Sequence, residues 1–128
     1  MADNLNLIMY ETLDSGKRKR YDSGMRRDDN TYKPDYMLCM PKGIPYEEQM
    51  LTRWANLMVR GADKYGERNF ELARTQEEYD RFLSSAMRHM IQYVNGAKDE
   101  DHAAAVYFNI CAAEMVIRRI NEASLSED

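Results

Sequence analysis

The chain is short of several residue types, and each shortage removes a class of structure. It has two cysteines in 128 residues. Cys39 and Cys111 are too few for a disulfide framework and lack metal-ligand spacing, so buried free thiols are expected. No apolar run approaches the roughly 20 residues that a membrane-spanning helix needs. The opening MADNLNLIMY has neither the basic start nor the long apolar stretch of a secretory leader, so a cytosolic protein with no membrane partner is the expectation. The three prolines fall at Pro34, Pro41 and Pro45, and none follows. Histidine is also scarce: the chain has two, His89 and His102. Repeats and low-complexity stretches are missing.

What is present is ordinary for a folded protein, with 44% hydrophobic and 31% charged residues in a length that suits one domain with a modest core. Ten methionines suit adaptable filling of that core. The net charge of −4 is unevenly spread. Residues 17–27, KRKRYDSGMRR, hold six bases and one acid, so this stretch is +5 and the remainder is −9. Such an island is either a solvated strand face or an anion-binding element. The −9 elsewhere disfavours nucleic acid as a partner, because it repels phosphate backbones.

The patterning predicts an α+β fold: an N-terminal antiparallel β-hairpin region followed by a three-helix, mainly antiparallel helical core. Residues 1–45 read as hairpin and loop, with turn signals at Asp14-Ser15-Gly16 and Asp22-Ser23-Gly24 and short segments LIMYETL and KRKRY between them. DYMLCM, between Pro34 and Pro41, reads as a third extended piece. Residues 46–122 read as helical. Leu51, Trp54, Ala55, Met58, Ala62 and Tyr65 recur at helical spacing, and Gly66 is the expected stop. Glu47 and Glu48 suit a helix's first turn. The polar segment ERNFELART leads to a second helix from about Gln76 to Val94, with Thr75 and Glu78 in the capping-box pattern. Its apolar stripe is expected to be Leu83, Ala86, Met87, Met90 and Val94. Asn95-Gly96 ends it. A third helix is expected from about Asp99 to Asn121, facing inward through Ala103, Val106, Tyr107, Ile110, Ala113 and Ile117, with Arg118 and Arg119 near its end. Residues 123–128 read as a frayed tail of the same single domain.

The Asn-Gly turn has a histidine on each side. In an antiparallel hairpin, residues equidistant from the turn face each other, which places His89 opposite His102. Asn109, seven residues beyond His102, shares its face with about 20° of drift. His89 and His102 with Asp99 and Asp101 supply imidazole and carboxylate donors suited to Zn, Mn or Fe. The alternative is a pair of histidines closing the hairpin through hydrogen bonds. A second group, in RGADKYGERNF, comprises Arg60, Lys64, Arg68 and Asn69 with Tyr65 and Phe70. Cations grip phosphate, Asn reads polar edges, and aromatic faces stack on bases. A solvated helix end packed over two aromatics is the alternative. Arg26, Arg27 and Lys33 offer further charge.

Four blocks carry a family likeness: SGMRRD with YKPDYMLCMPKG, RGADKYGERNF, SAMRHMIQYVNG, and DEDHAAAVYFN. In order and spacing the sequence resembles small phage and prophage proteins of the dATP/dGTP diphosphohydrolase-like, N-terminal type, distantly MazG-like. Carried over by position, the ligand-binding set implied is Arg26, Arg27, Asp28, Lys33, Lys64, Tyr65, Arg68, Asn69, Phe70, Arg88, His89, His102 and Asn109. Asp99, Asp101 and His102 form the implied metal set. Related proteins carry tryptophan at the place of Phe70, which keeps stacking available, and arginine at that of Asp35. MazG-like enzymes hold Mg²⁺ through Glu-x-x-Glu and Glu-x-x-Asp pairs. Here Glu77-x-x-Asp80 is one such pair, Asp99-x-x-His102 replaces the other, and Glu-x-x-Glu does not occur in the three helices.

Two functions are implied. The first is a phage-type nucleotide-binding protein that sequesters a nucleotide, a cyclic nucleotide or a cyclic ADP-ribose-type immune signal without hydrolysis, similar in plan to viral sponge proteins. The second is a dATP/dGTP diphosphohydrolase releasing monophosphate and pyrophosphate. Its divalent ion, Mg²⁺ or another, would be held by Glu77, Asp80, Asp99, Asp101 and His102. A structural phage module without a small ligand is the third class. A homo-oligomer is expected under the first two, because ligand sites in such folds often lie between protomers.

Overall fold

The computed structural model describes residues 16–29 and 33–126. The architecture is α+β: a two-stranded antiparallel hairpin precedes three helices. The chain divides into two compact units, one ending at Gly43 and one running from Ile44. The segment LIMYETL lies outside the described residues.

In the N-terminal unit, β1 (Arg18–Arg20) pairs with β2 (Arg26–Asp28). Its register sets Arg18 opposite Asp28, Lys19 opposite Arg27 and Arg20 opposite Arg26. KRKRY therefore pairs with the residues after its own turn. Asp22-Ser23-Gly24 makes that turn: Tyr21 N–H donates to Met25 C=O, and Gly24 takes a φ of 93° that suits a residue without a Cβ. Arg18 and Asp28 form an ion pair at 2.9 Å. The other two cross-strand pairs oppose like charges, which destabilises a sheet. DYMLCM is not extended. Tyr36–Cys39 forms a 3₁₀ turn, because the Asp35 carboxylate accepts the Met37 N–H and caps it.

In the helical unit, a 3₁₀ turn at Tyr46–Glu48 precedes α1 (Met50–Tyr65), so Glu47 and Glu48 lie before that helix. Gly66, at a φ of 95°, ends it. A second 3₁₀ turn, Asn69–Leu72, occupies ERNFELART. Next comes α2 (Gln76–Val94), opened by the expected Thr75/Glu78 capping box. It closes with Gly96 N–H donating to Tyr93 C=O and Ala97 N–H to Gln92 C=O, the Schellman pattern. The third helix, α3 (His102–Ser126), continues through EASLS, past the expected stop near Asn121; residues 127–128 of the expected tail lie outside the described residues. Arg118 and Arg119 consequently lie well inside the helix.

Most tertiary contact joins α2 to α3, with α1 also packed on α3. The buried face of α3 is His102, Ala104, Ala105, Asn109, Ala112, Ala113 and Val116. Of the six residues expected inside, only Ala113 is buried, and Tyr107 and Ile110 are exposed. On α2, Ala86 and His89 are buried while Met87, Met90 and Val94 are exposed. The expected stripe of α3 is off by about one residue, or 100° of helix. The physical reason is the seam's closeness: alanines let two backbones approach, and larger side chains are turned to its outside. On α1, Leu51, Ala55 and Tyr65 are exposed, whereas Trp54 and Met58 are half-buried. Both cysteines are free, as expected, but exposed rather than buried.

Candidate functional site

The α2–α3 turn brings the two histidines together as the spacing predicts. Their Nδ1 atoms lie 2.9 Å apart, and both rings are buried. Nε2 of His102 lies 2.7 Å from an Asp99 carboxylate oxygen. With Asp99 ionised, Nε2–H is the donor, so in a neutral His102 the Nδ1 lone pair accepts the Nδ1–H of His89. This bond holds Asp99 below the usual carboxylate range. Burial pushes His89 down, against the attraction of Glu100.

A second network fixes the start of α3. Arg53 of α1 clamps Asp101 with two bonds, Nε at 2.8 Å and Nη2 at 2.7 Å. Asp101 also accepts the Ala104 N–H at 3.0 Å, satisfying a donor of the first helical turn. The arginine bond lowers Asp101 and raises Arg53. Asn109, one face-repeat along α3, donates Nδ2–H to Ala105 C=O at 2.8 Å.

Beside this end lies a cleft of about 590 Å³, between α1, the Asn69–Leu72 turn, α2 and α3. That size is within the range of roughly 300–1,000 Å³ common for small-molecule sites. Arg60, Lys64, Arg68 and Arg88 supply cations around it, and Tyr65, Phe70, Phe82 and Phe108 supply rings. Phe108 stands nearly perpendicular to both Phe70 and Phe82, with centroids at 5.4 Å and 6.1 Å, which fixes the apolar wall. The 3₁₀ turn carrying Phe70 is pinned from α3: Nη1 of Arg119 donates to the carbonyls of Glu71 and Ala73. Arg68, just before that turn, takes a left-handed φ of 59° and pairs with Glu71 at 2.8 Å. Lys64 lies over Tyr65 at 5.1 Å.

Of the residues expected to bind ligand, Lys64, Tyr65, Arg68, Asn69, Phe70, Arg88, His89 and Asn109 all line this one cleft. His102 stands directly behind, bonded to His89. Arg26, Arg27, Asp28 and Lys33 belong to the N-terminal unit. The sequence reading missed Arg53 and Phe108. Arg53 lies 48 residues from its partner Asp101, and nothing local announces the pair. Phe108 follows from the His102–Ala105–Asn109 face, once that face is recognised as the seam.

The expected acidic residues do not gather around one ion. Asp101 is held by Arg53 and a backbone N–H, while Glu77 and Asp80 stand 12 and 9 residues down α2 from His89. That separation is roughly 18 and 14 Å along the axis. Asp80 accepts from Gln76 at 3.0 Å, and Glu77 shares a shallow exposed depression with Thr75 and Arg81. Mg²⁺ requires near-octahedral oxygen ligands, and this split set does not provide them. Among the described residues, His89, Glu100 and His102 do converge, with donor atoms within 4.8 Å of one another.

Residues 22–124 match the family described as dATP/dGTP diphosphohydrolase, N-terminal, and the chain belongs to that family. No curated protein and no solved structure matches it.

Proposed function

We propose that this protein binds a purine nucleotide or a cyclic, phosphate-bearing nucleotide signal in the helical cleft and sequesters it without hydrolysis. One observation carries the reading: four cations and four aromatic rings line a single cleft, while the acids that would hold magnesium are split between the two ends of α2. Arg60, Lys64, Arg68 and Arg88 would take phosphate oxygens, the guanidinium groups through paired N–H donors. Phe70, Tyr65 and Phe108 would flank the base, and Asn69 and Asn109 would read its polar edge. His89 would offer a neutral ring at the cleft wall.

The resemblance to phage and prophage proteins gives such a binder a use, removal of an immune signal in the cytoplasm of an infected host. In the N-terminal hairpin, Lys19 faces Arg27 and Arg20 faces Arg26. A phosphate bound there would relieve that repulsion, which supports Arg26 and Arg27 as anion contacts. Exposed apolar side chains on α2 and α3, Met87, Ile91, Tyr107 and Ile110 among them, support assembly into a homo-oligomer. No described helix is long and apolar enough to cross a membrane.

Family membership favours a second reading, conversion of dATP or dGTP to monophosphate and pyrophosphate. One experiment separates the two. Purified protein is titrated calorimetrically with dATP, dGTP, cyclic dinucleotides and cyclic ADP-ribose, and each complex is then heat-denatured and its ligand analysed. Saturable binding with the ligand recovered intact is expected. A monophosphate released catalytically with Mg²⁺, Mn²⁺ or Zn²⁺ would establish the enzyme instead.

A further inference from the structure

The loop joining α2 to α3 gathers three donor side chains from separate positions of the hairpin. Nδ1 of His89 faces Nδ1 of His102 at 2.9 Å, and the Glu100 carboxylate lies 3.9 Å from His89 Nδ1. We propose that His89, Glu100 and His102 form a binding site for a borderline transition cation of the Zn²⁺ type, with Asp99 as the outer carboxylate that orients His102.

The outer carboxylate is the first argument. A metal-bound histidine commonly donates its second ring N–H to a carboxylate, which fixes the tautomer and aims the other nitrogen at the ion. Asp99 does this to His102: it occupies Nε2 at 2.7 Å and leaves Nδ1 directed at His89. The positioning of both rings is the second. His102 is fully buried, and His89 is nearly so. Their helices are held at this end by the Schellman closure of α2 and by the Arg53–Asp101 clamp. Asp101 is excluded from the donor set by that clamp.

The dimensions fit a small adjustment. Zn–N bonds of about 2.0–2.1 Å at tetrahedral angles separate two nitrogens by about 3.3 Å, so the rings need to part by roughly 0.4 Å from 2.9 Å. The proton shared between the Nδ1 atoms moves to Nε2 of His89, both rings stay neutral, and no proton is lost. Glu100, exposed on the loop, swings in as third ligand. Two imidazoles and one carboxylate select Zn²⁺ or a similar ion over Mg²⁺. The +2 charge is balanced by Glu100 and Asp99. His89 and Glu100 also line the cleft, so a fourth position is open on that side. The site does not depend on what the cleft binds.

The test uses the metal-stripped full chain in a C39S/C111S background, which removes the two exposed thiols as competing ligands. Calorimetric titration with ZnCl₂ alone is expected to show one ion per chain, and MgCl₂ no saturable heat. Co²⁺ is expected to give visible bands of a four- or five-coordinate nitrogen and oxygen site. E100Q lies on the exposed loop and leaves the buried pair intact; it should weaken Zn²⁺ at least about tenfold. D99N should weaken it about 10- to 100-fold, with the helical circular dichroism of both variants unchanged. Absence of stoichiometric Zn²⁺ binding overturns the proposal and leaves the pair as a hydrogen bond closing the hairpin. Zinc bound as tightly by E100Q and D99N as by the parent overturns it equally.

Discussion

The two ends of α2 carry acids in similar number, but the acids do different things. At the start, Glu78 folds back on its own cap, accepting from the Arg74 and Thr75 N–H groups and the Thr75 hydroxyl, and Asp80 accepts from Gln76. All of these bonds stay within seven consecutive residues. Around the far turn, Asp101 reaches Arg53, 48 residues away, and Asp99 reaches a histidine that is itself bonded across to α2. An acid becomes part of a site when its partner comes from another element. By that measure the start of α2 is a cap, and the far end, beside the cleft, is a place where chemistry can be held.

Substitutions at the two ends should therefore behave differently. The largest effect is expected from H102A, which removes a fully buried ring with two polar partners and strands His89. A loss of about 2–4 kcal/mol is expected in denaturant unfolding; a loss below about 1 kcal/mol would show that the pair does not hold this end. R53A should cost about 1–2 kcal/mol, since the clamp is only partly buried. R53K should recover only part of it, because an ammonium cannot make the paired bonds. A smaller change confined to the other end is expected from T75A, about 1 kcal/mol from loss of the cap, with nucleotide affinity unchanged in calorimetry.

The cap also has a pH signature. Backbone and hydroxyl bonds hold Glu78 below its ordinary value. Its contribution is therefore present above the unfolded-state pKa and is lost as pH falls through the lower folded one. Unfolding midpoints against pH should show an acid limb that is weakened in E78Q; an identical limb in both proteins would break the assignment. The smallest effect belongs to E77Q/D80N, expected within about 0.5 kcal/mol of the parent and without effect on ligand or Zn²⁺ binding. A large loss of either binding would rejoin the two ends into one site.

Much of this was legible in the sequence where the signal was local. Thr75 with Glu78 and Asn95 with Gly96 mark both ends of α2, and equal distance from the turn is enough to pair His89 with His102. Most of the cleft was legible too, because Lys64, Tyr65, Arg68, Asn69 and Phe70 follow closely along one helix end. The inward face of α3 was not. Periodicity favours Tyr107, Ile110 and Ile117 as core because they are large and apolar, but the seam takes Ala105, Ala112 and Val116 for their small size. Tyr36–Cys39 reads as strand from its apolar residues, while the Asp35 carboxylate bonded to Met37 N–H decides for a turn. Arg53 was illegible for another reason: its place depends on how α1 lies on α3.

Arg68 is the one non-glycine at positive φ among the described residues. A left-handed backbone costs a residue with a Cβ about 1–2 kcal/mol, and glycine little. Under the binding role proposed for Arg68, heat tolerance and ligand retention pull this position in opposite directions. A library screened only for resistance to heating should drift toward glycine at 68. One screened for holding a phosphate-bearing ligand should keep the guanidinium, so the residue chosen under each screen reports which property the chain was selected for.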